Sequence, residues 1–345
     1  MNSYTYKIKI FIDKNQKEIR IDKFLKNYIQ NISRNQIQNL TISGKVLVNR
    51  NIIKKNYKIK PLDFVEIEIY KPSVIDYLEY KNITEEKINL DIIHEDEDVI
   101  VVNKPAGMVV HPGFGNETGT LIHGIKYHLI NSNFNELNLY RCGLVHRLDK
   151  DTSGLLVLAK NEYSQKHLFQ QFYSRTIQRK YIALIWGNLI EEKGTITGFI
   201  GRDPRNRKKM KIFKQNQEIN RGKFSITHYK VLERFKHLTY VSCYIKTGKT
   251  HQIRAHFKHL GHPLFHDSIY GGNRIFMKKK CSNQNIEFMK NCLKILQRQA
   301  LHAISLSFIH PKNGKCYFYC PIPEDFKTVL NNCRSYHNKV PRKRI

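Results

Sequence analysis

The sequence has no Cys-x-x-Cys pair, and its seven cysteines (Cys142, Cys243, Cys281, Cys292, Cys316, Cys320 and Cys333) are an odd, scattered set. That argues against a disulfide framework or a structural zinc site, and a reducing cytoplasm is the expected compartment. No stretch approaches the roughly 18 apolar residues of a membrane-spanning helix, and the N-terminus has no apolar signal core. A soluble, cytoplasmic protein with no membrane partner is therefore expected. Acidic residues are in short supply: 29 Asp and Glu stand against 59 Lys and Arg, a formal net charge of +30. An AT-rich genome enriches Lys, Asn and Ile but does not deplete acids, so the charge favours a polyanionic partner, nucleic acid first, bound with release of phosphate counterions.

With 345 residues, two domains are expected. Ile21, Phe24, Leu25, Tyr28 and Ile29 recur at helical spacing, with Lys23 and Lys26 on the other face. Ser33 is placed to cap a second helix carrying Ile37 and Leu40, which Gly44 ends before the strand-like Lys45–Asn49. Phe64–Ile69 alternates as a half-exposed strand does. These divisions predict a small αα-β module over residues 16–70, a polar linker over 71–88, a larger domain over 89–333 and a basic tail over 334–345. In the larger domain strands outnumber the two clear helices, roughly Glu162–Tyr173 and His251–Leu260. The expected class is α+β, with a mixed, mostly antiparallel sheet flanked by helices and loops.

One stretch organises the chemistry: Gly143-Leu144-Val145-His146-Arg147-Leu148-Asp149-Lys150-Asp151-Thr152-Ser153-Gly154, followed by the apolar run Leu155–Ala159. Asp149 sits between apolar segments with a cation beside it, a setting that suits a nucleophile or an acid/base group. Tyr181, flanked by Arg179 and Lys180, is on its own an ordinary core aromatic. In Thr247-Gly248-Lys249-Thr250-His251-Gln252-Ile253-Arg254 a Gly turn leads to a helix that Thr250 is placed to cap, an arrangement favourable to phosphate. A basic loop, with Arg202, Arg205, Arg207, Lys208, Lys209, Lys211 and Lys214, is expected to stay disordered until a polyanion binds. His256, His259, His262 and His266 invite a metal reading, but Gly261 and Pro263 interrupt them, no Cys or acid closes the set and cations surround them, so no metal is expected.

The Arg20–Leu25, Ile32–Ile37 and Ser43–Asn49 segments resemble the S4 RNA-binding domain. That resemblance implies RNA contacts by Lys23, Lys26, Arg34, Asn35, Gln38 and Lys45; Leu62 departs from it, since the family usually has Gly before Asp63. Asn103-Lys104-Pro105-Ala106-Gly107, His111-Pro112-Gly113, the motif at 146–154, Lys180-Tyr181, the motif at 247–254 and Gly261-His262-Pro263 together resemble the RluA/RluD family of RNA pseudouridine synthases, and the RluD branch most. The resemblance implies a cofactor-free isomerase acting on large-subunit (23S) ribosomal RNA. In it, Asp149 is the catalytic carboxylate, Tyr181 packs on the target base, Arg254 pairs with Asp149 and Arg147 holds the RNA open. Lys249, where Arg is commoner, and His266, where Gly is usual before Asp267, depart from the pattern; Lys249 and His251, like Arg207, Lys208 and Lys209, are expected on RNA. A monomer is expected. Two other readings stay open: a non-catalytic ribosomal RNA-binding or assembly protein on the same scaffold, and, on the histidines alone, a metal-dependent nuclease.

Overall fold

The structure is a computed structural model that describes residues 5–29, 32, 34–70, 83–113, 115–132, 140–213, 222–276 and 282–339. Ser33, the linker segment 71–82, Lys214, the tail residues 340–345 and the side chain of Asn35 lie outside the described residues. Chain contacts define two units, the first formed by the chain up to Ile83 together with Tyr140 and Arg141, the second by the rest of the described chain.

The first unit runs β1 (Thr5–Phe11), β2 (Ile19–Arg20), α1 (Ile21–Tyr28), α2 (Arg34–Ile42), β3 (Val46–Val48), β4 (Asn51–Ile52), β5 (Lys58–Ile59) and β6 (Phe64–Tyr70). Its sheet has the order β1-β6-β3-β4, with β2 and β5 paired apart. The helical spacing of Ile21 and Leu25 puts both into a core with Ile37, Leu40, Val46, Val65 and Ile67. Asn49 and Arg50, at φ 50° and 65°, form the two-residue turn between β3 and β4 that matches strand twist. Between the helices lies Asp22, fully buried, which accepts hydrogen bonds from Arg20, Arg34 and Gln38. Burial raises its pKa, but Arg34, Gln38 and Arg20 outweigh burial and hold it at about 2. Lys23 and Lys26 are exposed, whereas Arg34 is committed to Asp22 at 2.6 Å and Lys45 reaches Glu68 at 3.3 Å.

The second unit runs β7 (Ile92–Glu95), β8 (Val99–Lys104), α3 (Leu121–Asn131), β9 (Ser153–Ala159), α4 (Glu162–Ser174), β10 (Gln178–Trp186), β11 (Lys193–Arg202), β12 (Met210–Phe213), β13 (Lys223–Arg234), β14 (Leu238–Ile245), α5 (Gln252–His259), α6 (Asn283–Ile295), β15 (Leu301–His310), β16 (Gly314–Tyr319) and α7 (Glu324–Lys339). Ten strands make one sheet in the order β12-β11-β13-β14-β10-β15-β9-β8-β7, with β16 also on β15. Every pairing is antiparallel except β9 with β15. The fold is thus α+β with a mostly antiparallel sheet. Continuous apolar runs such as Val99–Val102 and Leu155–Ala159 are fully buried strands. Leu168 of α4 packs with Val157 and Phe308, while α6 and α7 cover Trp186, Leu238 and Phe265. No helix among the described residues is long and apolar enough to cross a membrane.

Three expectations need correction. Residues 334–339 are not tail but the end of α7, held because Arg334 Nε donates to Glu233 at 2.9 Å and the Tyr336 ring stacks on Phe288 at 4.0 Å. Over its described residues, 202–213, the basic loop forms a hairpin of β11 and β12, since Asp203 and Asn206 turn the chain by accepting the N–H groups of Arg205 and Lys208 at 3.0 Å each. Thr250 does not cap α5: the N-cap is His251, at φ 54°, and the turn is closed by Gln252 Oε1, which accepts from Thr247 Oγ1 at 2.8 Å and Lys249 N at 3.1 Å.

Candidate active site

Two glycines frame the loop that carries Asp149. At Gly143 a Cβ would stand 1.9 Å from Ala159 O, and at Gly154, with φ 117°, 2.3 Å from Ala303 O. Only glycine fits either place, and the second is where β9 meets β15. From below, Lys104 anchors the same loop. Its ammonium group, fully buried, donates to the carbonyls of Pro105 at 2.7 Å, Met108 at 2.8 Å and Lys150 at 2.9 Å. Burial lowers its pKa to about 7 against the pull of Asp151 and Asp149.

Arg254, on the first turn of α5, is shared between two carboxylates. Its Nη1 donates to Asp149 Oδ2 at 2.9 Å, while Nε and Nη2 fork onto Asp267 at 2.7 and 2.9 Å. Asp267 is fully buried and also accepts the N–H groups of Ile269 and Tyr270, both at 3.1 Å. The Tyr270 ring lies 5.3 Å from the guanidinium carbon. Burial opposes the charge on Arg254, but Asp267 and then Asp149 outweigh it, so its pKa is raised. The forked hydrogen bonds orient the guanidinium, and through it the Asp149 oxygen.

His251 closes the other side. Its Nε2 lies 3.8 Å from Asp149 Oδ2 and its Nδ1 3.2 Å from Tyr270 Oη. Burial lowers its pKa despite Asp149, leaving a neutral ring at neutral pH. Tyr181 stands at a bulge in β10, where the register to β15 shifts between Lys180 and Tyr181; bulges re-aim side chains beside functional sites. It is 6% exposed, and burial, opposed by Arg179, raises its phenol pKa.

Asp149, Tyr181 and Arg254 line one cavity of about 520 Å³, within the usual range for small-molecule sites of roughly 300–1,000 Å³. Its wall carries six cations, Arg147, Arg175, Arg179, Lys246, Lys249 and Arg254, against the single carboxylate of Asp149. Arg147 is exposed, with Nη1 3.3 Å from His111 Nε2. His146, by contrast, is structural. Its Nε2 accepts from Val157 N at 3.0 Å, and burial, helped by Arg179, lowers its pKa to about 3. Lys249 and His251 also line the cavity, whereas Arg207 and Lys208 are exposed on the β11–β12 hairpin beside the partly buried Lys209. That hairpin is tied to the site all the same, because Met210 N donates to Tyr270 Oη at 2.9 Å. Lys23, Lys26, Arg34 and Lys45 belong to the first unit.

The histidines of the metal reading are split among different partners: His256 Nε2 lies 2.9 Å from Ser225 Oγ and His262 Nδ1 2.8 Å from Trp186 O. Asp96, Asp98 and His310 are grouped more tightly. There Lys312 Nζ lies 3.1 Å from Asp98, and His310 Nδ1 accepts two backbone N–H groups, which puts its ring proton on Nε2, facing Asp96 at 3.0 Å. Both carboxylates are engaged here by protein donors, Asp96 by the N–H groups of Asp98 and Val99 and Asp98 by Asn161 and Ser164. Sequence reasoning missed Asp267 and Tyr270 as the partners of Arg254, as well as Phe172 and Arg179 in the cavity wall. A lone acid thirteen residues beyond Arg254 has no periodic signature.

Residues 98–259 match the family model of RNA pseudouridylate synthases and residues 19–65 that of the S4 domain. An uncharacterised RNA pseudouridine synthase of Bacillus subtilis is 41% identical over 329 residues, 95% of this chain and 98% of that one. The ribosomal large subunit pseudouridine synthase D of Buchnera aphidicola is 38% identical, over 90% of this chain and 93% of its own. Its namesake in Neisseria meningitidis serogroup A is 40% identical, over 91% and 79%. In structure, human RNA pseudouridylate synthase domain containing 1 superposes with a TM-score of 0.53 at 24% identity, covering 74% of this chain and 97% of the other, a likeness of fold. With identity of this level along nearly the whole of both chains, the protein belongs to the RNA pseudouridine synthases.

Proposed function

We propose that the protein isomerises uridines of large-subunit ribosomal RNA to pseudouridine, with Asp149 as catalytic carboxylate, Tyr181 as the aromatic packed on the base and Arg254 as the cation that orients Asp149. The observation that carries this reading is the Asp149–Arg254 contact at 2.9 Å within a cavity whose other charges are cations. Uridine and pseudouridine have the same atoms. The N1–C1′ bond breaks, a C5–C1′ bond forms, and the proton on C5 leaves while N1 gains one. No oxidant, reductant or co-substrate enters the balance, so a carboxylate, a phenol and a guanidinium suffice without a cofactor. A uridine within structured RNA presents neither C1′ nor C5, so it must leave its stack for the cavity, and the exposed Arg147 is suited to hold the RNA open around it. The raised pKa of Tyr181 keeps a neutral phenol against the base.

The ribosomal substrate is supported by the relatives named for the large subunit. Lys23 and Lys26 of the S4-like module, residues 16–70, and Arg207, Lys208 and Lys209 of the hairpin extend the RNA contact as solvent-facing or half-buried cations. The domain that begins near residue 89 carries the chemistry, and the protein works as a cytoplasmic monomer. Pseudouridine mapping of ribosomal RNA from cells with and without the gene tests the substrate, and an unchanged map overturns it. Asp149→Asn is expected to lower conversion at least about a thousandfold while RNA affinity stays within threefold. A non-catalytic binding protein would show no conversion in either form.

A further inference from the structure

Arg179 lies two residues before Tyr181 on β10 and lines the same cavity. Its guanidinium carbon is 5.2 Å from the centroid of the Phe172 ring, and a Cβ at Gly248 would come within 2.9 Å of its Nη1, so the absence of a side chain there makes room for it. Its Nε is buried and has no hydrogen-bond partner. Several other arginines of this protein meet carboxylates: Arg254 Asp149 and Asp267, Arg298 Asp325, Arg334 Glu233, Arg34 Asp22. Among the described residues, Arg179 is within ion-pair distance of none, and burial lowers its pKa with only Tyr181 acting against it. A guanidinium has five N–H donors in a planar fork, and leaving the buried Nε–H of Arg179 unpaired is costly. A bound anion satisfies it, and phosphate fits the fork with two parallel hydrogen bonds. Charge nearby supports the same ligand. Lys249, in the cavity wall, has its pKa lowered by burial and further by Lys223 and Arg175, so cations are gathered on this side of the cavity.

We propose that Arg179, stacked on Phe172 with its buried Nε lacking an acceptor, is a phosphate-binding residue that receives the RNA phosphodiester beside the nucleotide presented to Asp149. The proposal rests on the RNA-modifying reading of the cavity and gives Arg179 a binding role distinct from the reaction itself. Holding that phosphate fixes the sugar on which C1′ sits, while the adjacent Tyr181 receives the base.

Binding of large-subunit ribosomal RNA transcribed in vitro, titrated against salt, tests this without requiring turnover. For Arg179→Met the affinity is expected to fall about tenfold, and the slope of log affinity against log salt to flatten by about 0.7–0.9, the value of one phosphate contact. Arg179→Lys keeps a cation on the ring, so the slope is retained with a few-fold loss of affinity. At saturating RNA the single-turnover rate of Arg179→Met falls together with the affinity, because the sugar is no longer held, and Arg179→Lys recovers most of it. Unchanged affinity and slope in Arg179→Met overturns the proposal, as does a lost rate at unchanged affinity, which would place Arg179 on the base. If Arg179→Met does not fold, the unaltered protein supplies the test. One neutral methylphosphonate beside the converted uridine, with a 2′-deoxy sugar to keep the linkage stable, should weaken binding about tenfold, and no effect at any flanking position overturns the proposal. The two readings fail separately: an unaltered protein that forms no pseudouridine while Arg179→Met still flattens the slope overturns the enzymatic reading alone.

Discussion

At the scale of single residues, two departures from the family pattern acquire a backbone meaning. Leu62 stands at φ 67° and His266 at φ 55°, the left-handed region, and both occupy places where the resemblance leads one to expect Gly. A branched, 66% exposed Leu gains no packing in return for that conformation. Leu62→Gly is therefore expected to raise the stability of the N-terminal unit by about 1 kcal/mol, read as a higher urea midpoint for that unit in the intact chain. Asp267 is a residue whose importance only geometry reveals, because it supplies two of the three carboxylate contacts of Arg254. Asp267→Asn turns an amide N–H₂ toward the guanidinium and is expected to cost about 3 kcal/mol in urea unfolding. It should also lower the single-turnover rate at least tenfold with RNA affinity unchanged, since Arg254 loses the partner that aims it at Asp149.

At the scale of elements, the sequence was most legible where periodicity and glycine act together. Helices α1 and α4, the buried strands β8 and β9 and the glycines around Asp149 could all be anticipated from local pattern. Harder to see were the ends. Helix α7 continues past residue 333 because Arg334 and Tyr336 find partners on β13 and α6, contacts between residues 101 and 48 positions apart. The basic hairpin is ordered by two Asx turns that a charge count does not register. Asp22 pins α1 to α2, and its pKa of about 2 lies below the ordinary 3.8, so its stabilisation is full above that ordinary value and is lost as pH falls toward 2. About 2 kcal/mol should disappear between roughly pH 5 and 2, and Asp22→Asn should flatten unfolding against pH in that window.

At the scale of the molecule, the formal charge of +30 becomes specific only where cations converge and outnumber acids. The cavity wall is one such place and the β11–β12 hairpin another. Replacing Lys208 and Lys209 by Ala is expected to weaken binding to ribosomal RNA and to flatten its salt dependence by up to about two counterions. An unaltered slope would remove the hairpin from the RNA surface. Because Met210, next to these lysines, donates to Tyr270 and Tyr270 packs on Arg254, the hairpin is mechanically continuous with the site. RNA held there bears on the same cluster that orients Asp149.

The sequence by itself determined the class of fold, the polyanionic partner and the loop that carries Asp149, because strand alternation, charge balance and glycine turns are local properties of a chain. Only the tertiary structure decided which groups stand around that carboxylate. Arg254 lies 105 positions from Asp149 and reaches it across folded space, Asp267 is buried behind the arginine, and Arg179 has no carboxylate within ion-pair distance among the described residues. Distance, burial and the count of unsatisfied donors exist only once the chain has folded. The carboxylate could therefore be found by reading along the chain, while its electrostatic surroundings could not.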